Sequence, residues 1–138
     1  MTAIDYSPLG KALQRLKEGL VALKAEPENT LYRDAVVQRF EFTYGLCASM
    51  LKRFLAHTAA EEPDIEMTFP TLIRTASESG LLRSGWDTWF EFRKARNLTS
   101  HIYNEEIAHR VMEKIPAFAE EAEFLYRALE RTSKADGD

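Results

Sequence analysis

Eight consecutive residues, Arg96-Asn97-Leu98-Thr99-Ser100-His101-Ile102-Tyr103, hold a fixed cation, a group that titrates near neutral pH and a phenol. That trio suits work on phosphate esters, because a guanidinium matches phosphate oxygens and an imidazole can give or take a proton near pH 7. No other stretch of the 138-residue chain looks as chemical. It has no Gly-rich phosphate loop and no Ser/His/Asp set, and His57 and His109 have no metal-ligand spacing with other His, Cys or carboxylates. No metal and no cofactor is therefore expected, and both histidines are assigned to the surface.

The elements that must position the trio are helical throughout. Ser7 followed by Pro8 predicts a helix start, with the serine as cap, and Leu9, Leu13, Leu16, Leu20 and Leu23 then recur every three or four residues to an end near Lys24 to Pro27. Asn29 or Thr30 opens a second helix that runs to about Thr58, with Val36, Phe40, Thr43, Cys47, Met50 or Leu51, Phe54 and Leu55 on one stripe. An acidic loop, Glu61 to Glu66, leads to a short third helix started by Pro70 and stopped by Gly80. Ser84, three residues ahead of Asp87, predicts a capping-box-like start for a fourth helix bearing Trp86, Trp89, Phe90 and Arg93.

After the trio, Asn104-Glu105-Glu106 reads as a cap with an acidic first turn. Ile107, Val111, Ile115, Phe118, Ala122, Leu125 and Leu129 make a bundle seam that continues past Pro116, where a kink is expected, and Lys134 to Asp138 is expected to fray. No strand signal is present. The expected fold is all-α: an antiparallel up-and-down four-helix bundle with one additional short helix, a single domain over 1–138 with its core at about 7–131.

Helix geometry constrains the trio. On a continuous α-helix, residues five apart are rotated by roughly 140° and displaced by about 7.5 Å, so Arg96 and His101 do not share a face. Arg93, Asn97 and His101 do share one at four-residue spacing. Arg96 joins them only if the helix loosens around Thr99 to His101, or if a second copy of the chain brings its own set.

Composition excludes some functions. Lys+Arg 18 against Asp+Glu 22 gives a net charge of −4, so the overall basic field of a protein that grips long nucleic acid is missing and any such contact must be local. The single Cys47 lies in an apolar-rich run and is expected to be a buried, reduced thiol, in keeping with a cytoplasmic location. Neither a signal peptide nor a membrane span of roughly 20 apolar residues is expected.

Arg96-x4-His101-x-Tyr103, with Asn97 directly after the arginine and on the C-terminal side of an all-helical domain, resembles the HEPN superfamily. Within it, the chain is similar to the small proteins that accompany a minimal nucleotidyltransferase, known as nucleotidyltransferase substrate-binding proteins or, in toxin and antitoxin modules, HepT. The Arg39-Phe40-Glu41 run, Trp86 ten residues ahead of Arg96 and the Arg93 to Tyr103 block carry the similarity from about Ala12 to Leu129.

The resemblance implies a metal-independent endoribonuclease, in which His101 is the acid/base, Arg96 the phosphate clamp and Asn97 a polar helper. Arg93 and Ser100 would flank the substrate, and Tyr103 would be the tyrosine that the partner nucleotidyltransferase adenylylates to silence the toxin. It also implies a homodimer that faces two motifs into one cleft, with exposed Phe42, Trp89 and Phe92 available for the interface. The ligand is RNA or a nucleotide, and no membrane partner is implied.

Other readings of the same residues stand beside these. Arg96 and His101 could satisfy the carbonyls of a helix end, Tyr103 could sit half-buried at a helix junction, and Arg93 with Lys94 could be a solvated face. Glu41 could orient an arginine, although a place at the rim of the core is the default. At the level of function, the rivals to the nuclease are a catalytically inert subunit that presents a nucleotide or other substrate to the nucleotidyltransferase, and a helical interaction module with no small ligand.

Overall fold

The computed structural model describes residues 4–58 and 68–136, with side chains described to residue 133. Five α-helices and one 3₁₀ turn follow in order: α1 (Ser7–Ala25), α2 (Thr30–Thr58), α3 (Phe69–Glu78), α4 (Trp86–Leu98), the turn Thr99–His101, and α5 (Glu105–Asp136). The acidic loop from Glu61 to Glu66 lies outside the described residues. Among those residues no strand occurs, and no helix is long and apolar enough to cross a membrane.

Directions follow from which residues meet. Arg39 reaches Arg15 and Val36 lies beside Gly19, so α1 and α2 run antiparallel. Glu41 pairs with Arg96, and Tyr44, three residues on, feels the field of Arg93, three residues back; α2 and α4 are therefore antiparallel. Lys17 with Glu123 and Gly10 against Tyr126 set α1 against α5 in the same sense. These four helices close an up-and-down bundle, and α3 is the added short helix, packed on α2 and α4.

The helix ends show how local chemistry places them, and where the expected caps differ. The Ser7 hydroxyl does not cap α1; the Asp5 carboxylate accepts the Ser7 N–H at 2.9 Å, and Pro8 falls in the first turn where a missing N–H costs nothing. Nor does Ser84 cap α4: Gly85 takes the cap position with extended backbone and no side-chain bond. The other expected signals act as read. Asn29 accepts from Tyr32 N at 3.0 Å, and Pro70 lies in the first turn of α3, where Thr68, a cap that the sequence reading did not name, accepts from Thr71 N. Gly80 ends the third helical segment with φ +80°, a conformation open to glycine. Asn104 accepts from Ile107 N at 3.2 Å to start α5. α5 continues past Pro116 and on to Asp136, so residues 134–136 are helical where fraying was expected.

The core lies where the stripes of α1, α2 and α5 meet the aromatic side of α4. Phe118 is its centre, fully buried, with the rings of Phe40 at 5.0 Å, Phe92 at 5.4 Å, Trp89 at 6.0 Å and Tyr44 at 6.2 Å, mostly edge to face. Two of the aromatics expected at an interface are in this core: Trp89 and Phe92 are buried, and only Phe42 of that set is at the surface. The reason is that α4 carries rings on more than one face, and the pair that meets Phe118 is the one that packs. Cys47 is a buried, unpaired thiol, and burial pushes its pKa up, so it behaves as a small core hydrophobe.

Candidate active site

The fourth helix stops at Leu98 because Thr99 turns its side chain back on the last turn. The Thr99 hydroxyl donates to the Arg96 carbonyl at 2.8 Å, satisfying one of the orphan acceptors that every helix C-terminus leaves. The same oxygen accepts from Arg96 Nη1 at 3.3 Å, and Thr99 is buried. The chain then tightens into the 3₁₀ turn, and Asn104 N–H closes it by donating to the His101 carbonyl at 3.0 Å.

This turn is the loosening foreseen around Thr99 to His101, but its geometric effect is the opposite of the one needed to gather the motif. A 3₁₀ step turns roughly 120° per residue against roughly 100° for an α step, so His101 swings to roughly 200° round from Arg96 rather than roughly 140°. The Arg93, Asn97 and His101 stripe is broken for the same reason. Among the described residues no hydrogen bond joins Arg96 to His101.

Arg96 instead faces α2. Its Nη1 lies 3.4 Å from Glu41 Oε2, so the carboxylate from one helix and the threonine from the turn hold the same guanidinium edge. Both side chains of the pair are more than a third exposed, which makes it worth little in stability; its effect is to aim the guanidinium. The remaining N–H groups of Arg96 stay available for an anion.

Beside it stands Tyr44, one turn along α2, a residue that the sequence reading left among the apolar run. Burial pushes its hydroxyl up to about 12, against the pull of Arg93, so the phenol is a proton donor throughout the physiological range. Arg93 lies over the Phe69 ring at 5.3 Å, where the aromatic face holds the cation without consuming its hydrogen bonds. Glu41, Tyr44, Arg93 and Arg96 thus form one partly exposed polar strip along the α2–α4 contact. The i, i+3 spacings of Glu41 with Tyr44 and of Arg93 with Arg96 were the available signal.

On the other side of the turn, His101 and Tyr103 are exposed, with ring centroids 6.1 Å apart and planes at 70°. Tyr103 is 81% exposed, so the half-buried reading of this phenol does not hold. Asn97 and Ser100 are exposed as well, with no hydrogen bond from either side chain among the described residues. Of the remaining histidines, His109 pairs with Glu113 at 3.2 Å on the outer face of α5, whereas His57 is half-buried rather than at the surface. Among the described residues no three His, Cys, Asp or Glu side chains gather as metal ligands would.

The arrangement therefore offers a cation aimed by a carboxylate, a protonated phenol beside it, and, across a tight turn, an exposed imidazole next to an exposed phenol. Such a set can bind a phosphate and move a proton.

Comparison with known proteins places this geometry in context. Residues 4–131 match the family model for proteins like the nucleotidyltransferase substrate binding protein. A probable ribonuclease HepT from Haemophilus influenzae is 36% identical over 110 residues, covering 79% of this chain and 74% of that protein. The structure of HI0074 from Haemophilus influenzae, described as revealing the fold of a substrate binding domain of a nucleotidyltransferase, superposes with a TM-score of 0.84 at 29% identity. It covers 91% of this chain and 99% of that one. A protein of Thermus thermophilus, ttk003001694, matches with a TM-score of 0.70 at 31% identity, over 88% and 98% of the two chains. The chain belongs to the HepT-like HEPN family of nucleotidyltransferase substrate-binding proteins.

Proposed function

We propose that this chain is a metal-independent endoribonuclease, the toxin of a pair whose second member is a minimal nucleotidyltransferase. The observation that carries the reading is Arg96 held between Glu41 and Thr99, immediately before a turn that leaves His101 and Tyr103 open to solvent. An oriented guanidinium and a free imidazole are the two groups that cleavage by an internal 2′-hydroxyl requires. The hydroxyl oxygen attacks the adjacent phosphorus, His101 handles the proton, and Arg96 stabilises the charge that builds on the phosphorane as the 5′-oxygen leaves. Asn97 positions His101 or a phosphate oxygen, and Arg93 and Ser100 flank the strand.

Because the turn carries His101 away from the Arg96 of its own chain, the productive pair is proposed to form across a homodimer, with the arginine of one copy serving the histidine of the other. A two-fold axis near the turn brings both sets into one cleft without any distortion of the bundle.

Tyr103 is the proposed point of control. Its phenolic oxygen attacks the α-phosphorus of ATP held by the nucleotidyltransferase, losing its proton and displacing pyrophosphate. The resulting AMP group places a bulky anion beside His101, where RNA phosphate must lie, and excludes it by volume and by like charge. The test incubates the purified protein with single-stranded RNA and a chelator, then adds its nucleotidyltransferase and labelled ATP. Cleavage that survives the chelator, and label that enters the wild type but not Tyr103→Phe, are expected. Absence of cleavage at every protein concentration tried would overturn the nuclease.

Glu41→Gln gives a finer test of the same site. The amide keeps the shape and drops the charge that aims Arg96, so cleavage falls by about tenfold to a hundredfold, chiefly in kcat, while unfolding by urea is nearly unchanged. Equal loss in stability and activity would make Glu41 structural.

A second reading, a non-catalytic subunit that presents a nucleotide to the nucleotidyltransferase, is favoured by the net charge of −4 and by the description of HI0074. It predicts nucleotide binding with no RNA cleavage.

A further inference from the structure

A groove between α1 and α2, enclosing about 430 Å³, is lined by Pro8, Lys11, Arg15, Gln38, Arg39 and Phe42. Three of these are cations and none is acidic. Lys11, Arg15 and Arg39 have no carboxylate within ion-pair distance among the described residues, as is also true of Lys52, Arg53 and Arg74; what sets the three apart is that they line one groove. Asp5 is near enough for Lys11 to feel, but its carboxylate already accepts from Ser7.

The groove is also ordered rather than a loose set of side chains. Arg39 donates from Nη1 to the Arg15 carbonyl at 2.7 Å and lies across Gly19, where an added Cβ would stand 3.4 Å from that nitrogen. This fixes the guanidinium and leaves its other N–H groups free. Phe42 is 65% exposed on the groove wall. Arg39 and Phe42 turn to the α1 flank of α2 and Glu41 to its α4 flank, with Gln38 on the outer face between them, so the groove and the Glu41–Arg96 pair lie on opposite flanks of one helix, about 10 Å apart.

We propose that this groove is a subsite for single-stranded RNA. Lys11, Arg15 and the free edge of Arg39 hold backbone phosphates, and Phe42 stacks a base of a strand that crosses the outer face of α2 to reach Arg96. The proposal rests on the ribonuclease reading for the identity of the strand. It also accounts for how a chain of net charge −4 holds a polyanion: the attraction is local, in a groove without carboxylates. A second copy of this chain fits less well there, because groove meeting groove across a two-fold would set three cations against three with no acidic partner.

The experiment measures the affinity of a 5′-fluorescein-labelled single-stranded RNA by fluorescence anisotropy, on the His101→Ala background so that the strand is not cut. Sedimentation of each variant is recorded alongside. The triple substitution Lys11→Ala, Arg15→Ala, Phe42→Ala alters exposed side chains and leaves the Arg15 carbonyl that anchors Arg39 in place. It is expected to weaken binding by about tenfold or more and to flatten the dependence on salt, with circular dichroism unchanged. Unchanged affinity overturns the subsite, and so does a loss of self-association as the sole effect, which would assign the groove to a second copy. The two readings fail separately. RNA cleaved equally well with and without the three side chains sinks the groove alone, whereas RNA bound through the groove but never cleaved sinks the ribonuclease alone.

Discussion

His101→Ala is expected to lower RNA cleavage by about 10²–10⁴-fold while leaving the bundle folded. The size follows from the proposed role, in which a single imidazole serves the protons of the reaction; His109 is paired with Glu113, and His57 lies at the far end of α2. The neutrality toward folding follows from the surroundings. The ring is exposed, its neighbour is the equally exposed Tyr103, and the bond that closes the turn uses the His101 carbonyl, which alanine retains. Alanine also suits a helical turn at least as well as histidine. Measured cleavage rates, with circular dichroism on the same samples, check both halves. Wild-type cleavage by the variant would remove His101 from the mechanism.

The largest expected effect on stability is that of Phe118→Ala. Four rings from α2 and α4 lie within 6.2 Å of Phe118, so truncation removes the common partner of Phe40, Tyr44, Trp89 and Phe92 together. A loss of about 3–5 kcal/mol is expected from urea unfolding, near the upper range for a phenylalanine. A loss below about 1 kcal/mol would mean that the cluster collapses onto the gap, and that Phe118 is not its centre. Since Tyr44 edges both this cluster and Arg96, the variant is also expected to cleave RNA poorly at temperatures where it remains folded.

The limits of the sequence reading have physical causes. Helix extents were legible because breakers and apolar stripes agree: Pro8, Asn29, Gly80 and Asn104 each mark a boundary that the packing also wants. Caps were less so, since several polar residues near a helix start compete for the same N–H groups. Asp5 outcompetes Ser7, and Gly85 takes the place read for Ser84. The aromatic run of α4 defeated periodicity outright. With Trp86, Trp89, Phe90 and Phe92 on a single short helix, the rings span roughly 160° of its circumference, wider than the buried stripe, and nothing local says that Trp89 and Phe92 face inward while Phe90 stays exposed.

The candidate site divides in the same way. The Arg96 to Tyr103 segment was visible because its residue types are unusual together, and the broken helix followed from its spacing. The Glu41 partner was visible only as an option, and Tyr44 not at all, because pairing α2 with α4 depends on contacts about fifty residues apart. The direction of the 3₁₀ turn was likewise hidden: spacing left a loosened helix or a second copy of the chain as the ways to join Arg96 to His101, and the overwinding of the turn goes with Thr99 folding back onto the Arg96 carbonyl.

On the proposed function, the exposure of Tyr103 separates control from folding. Its ring covers no core residue and its hydroxyl holds no neighbour among the described residues, so a group attached there displaces nothing that the native state relies on. A silenced molecule and an active one would then unfold at the same temperature. The protein could be stored indefinitely in its blocked form and returned to service by removal of one substituent, with no refolding step between the two.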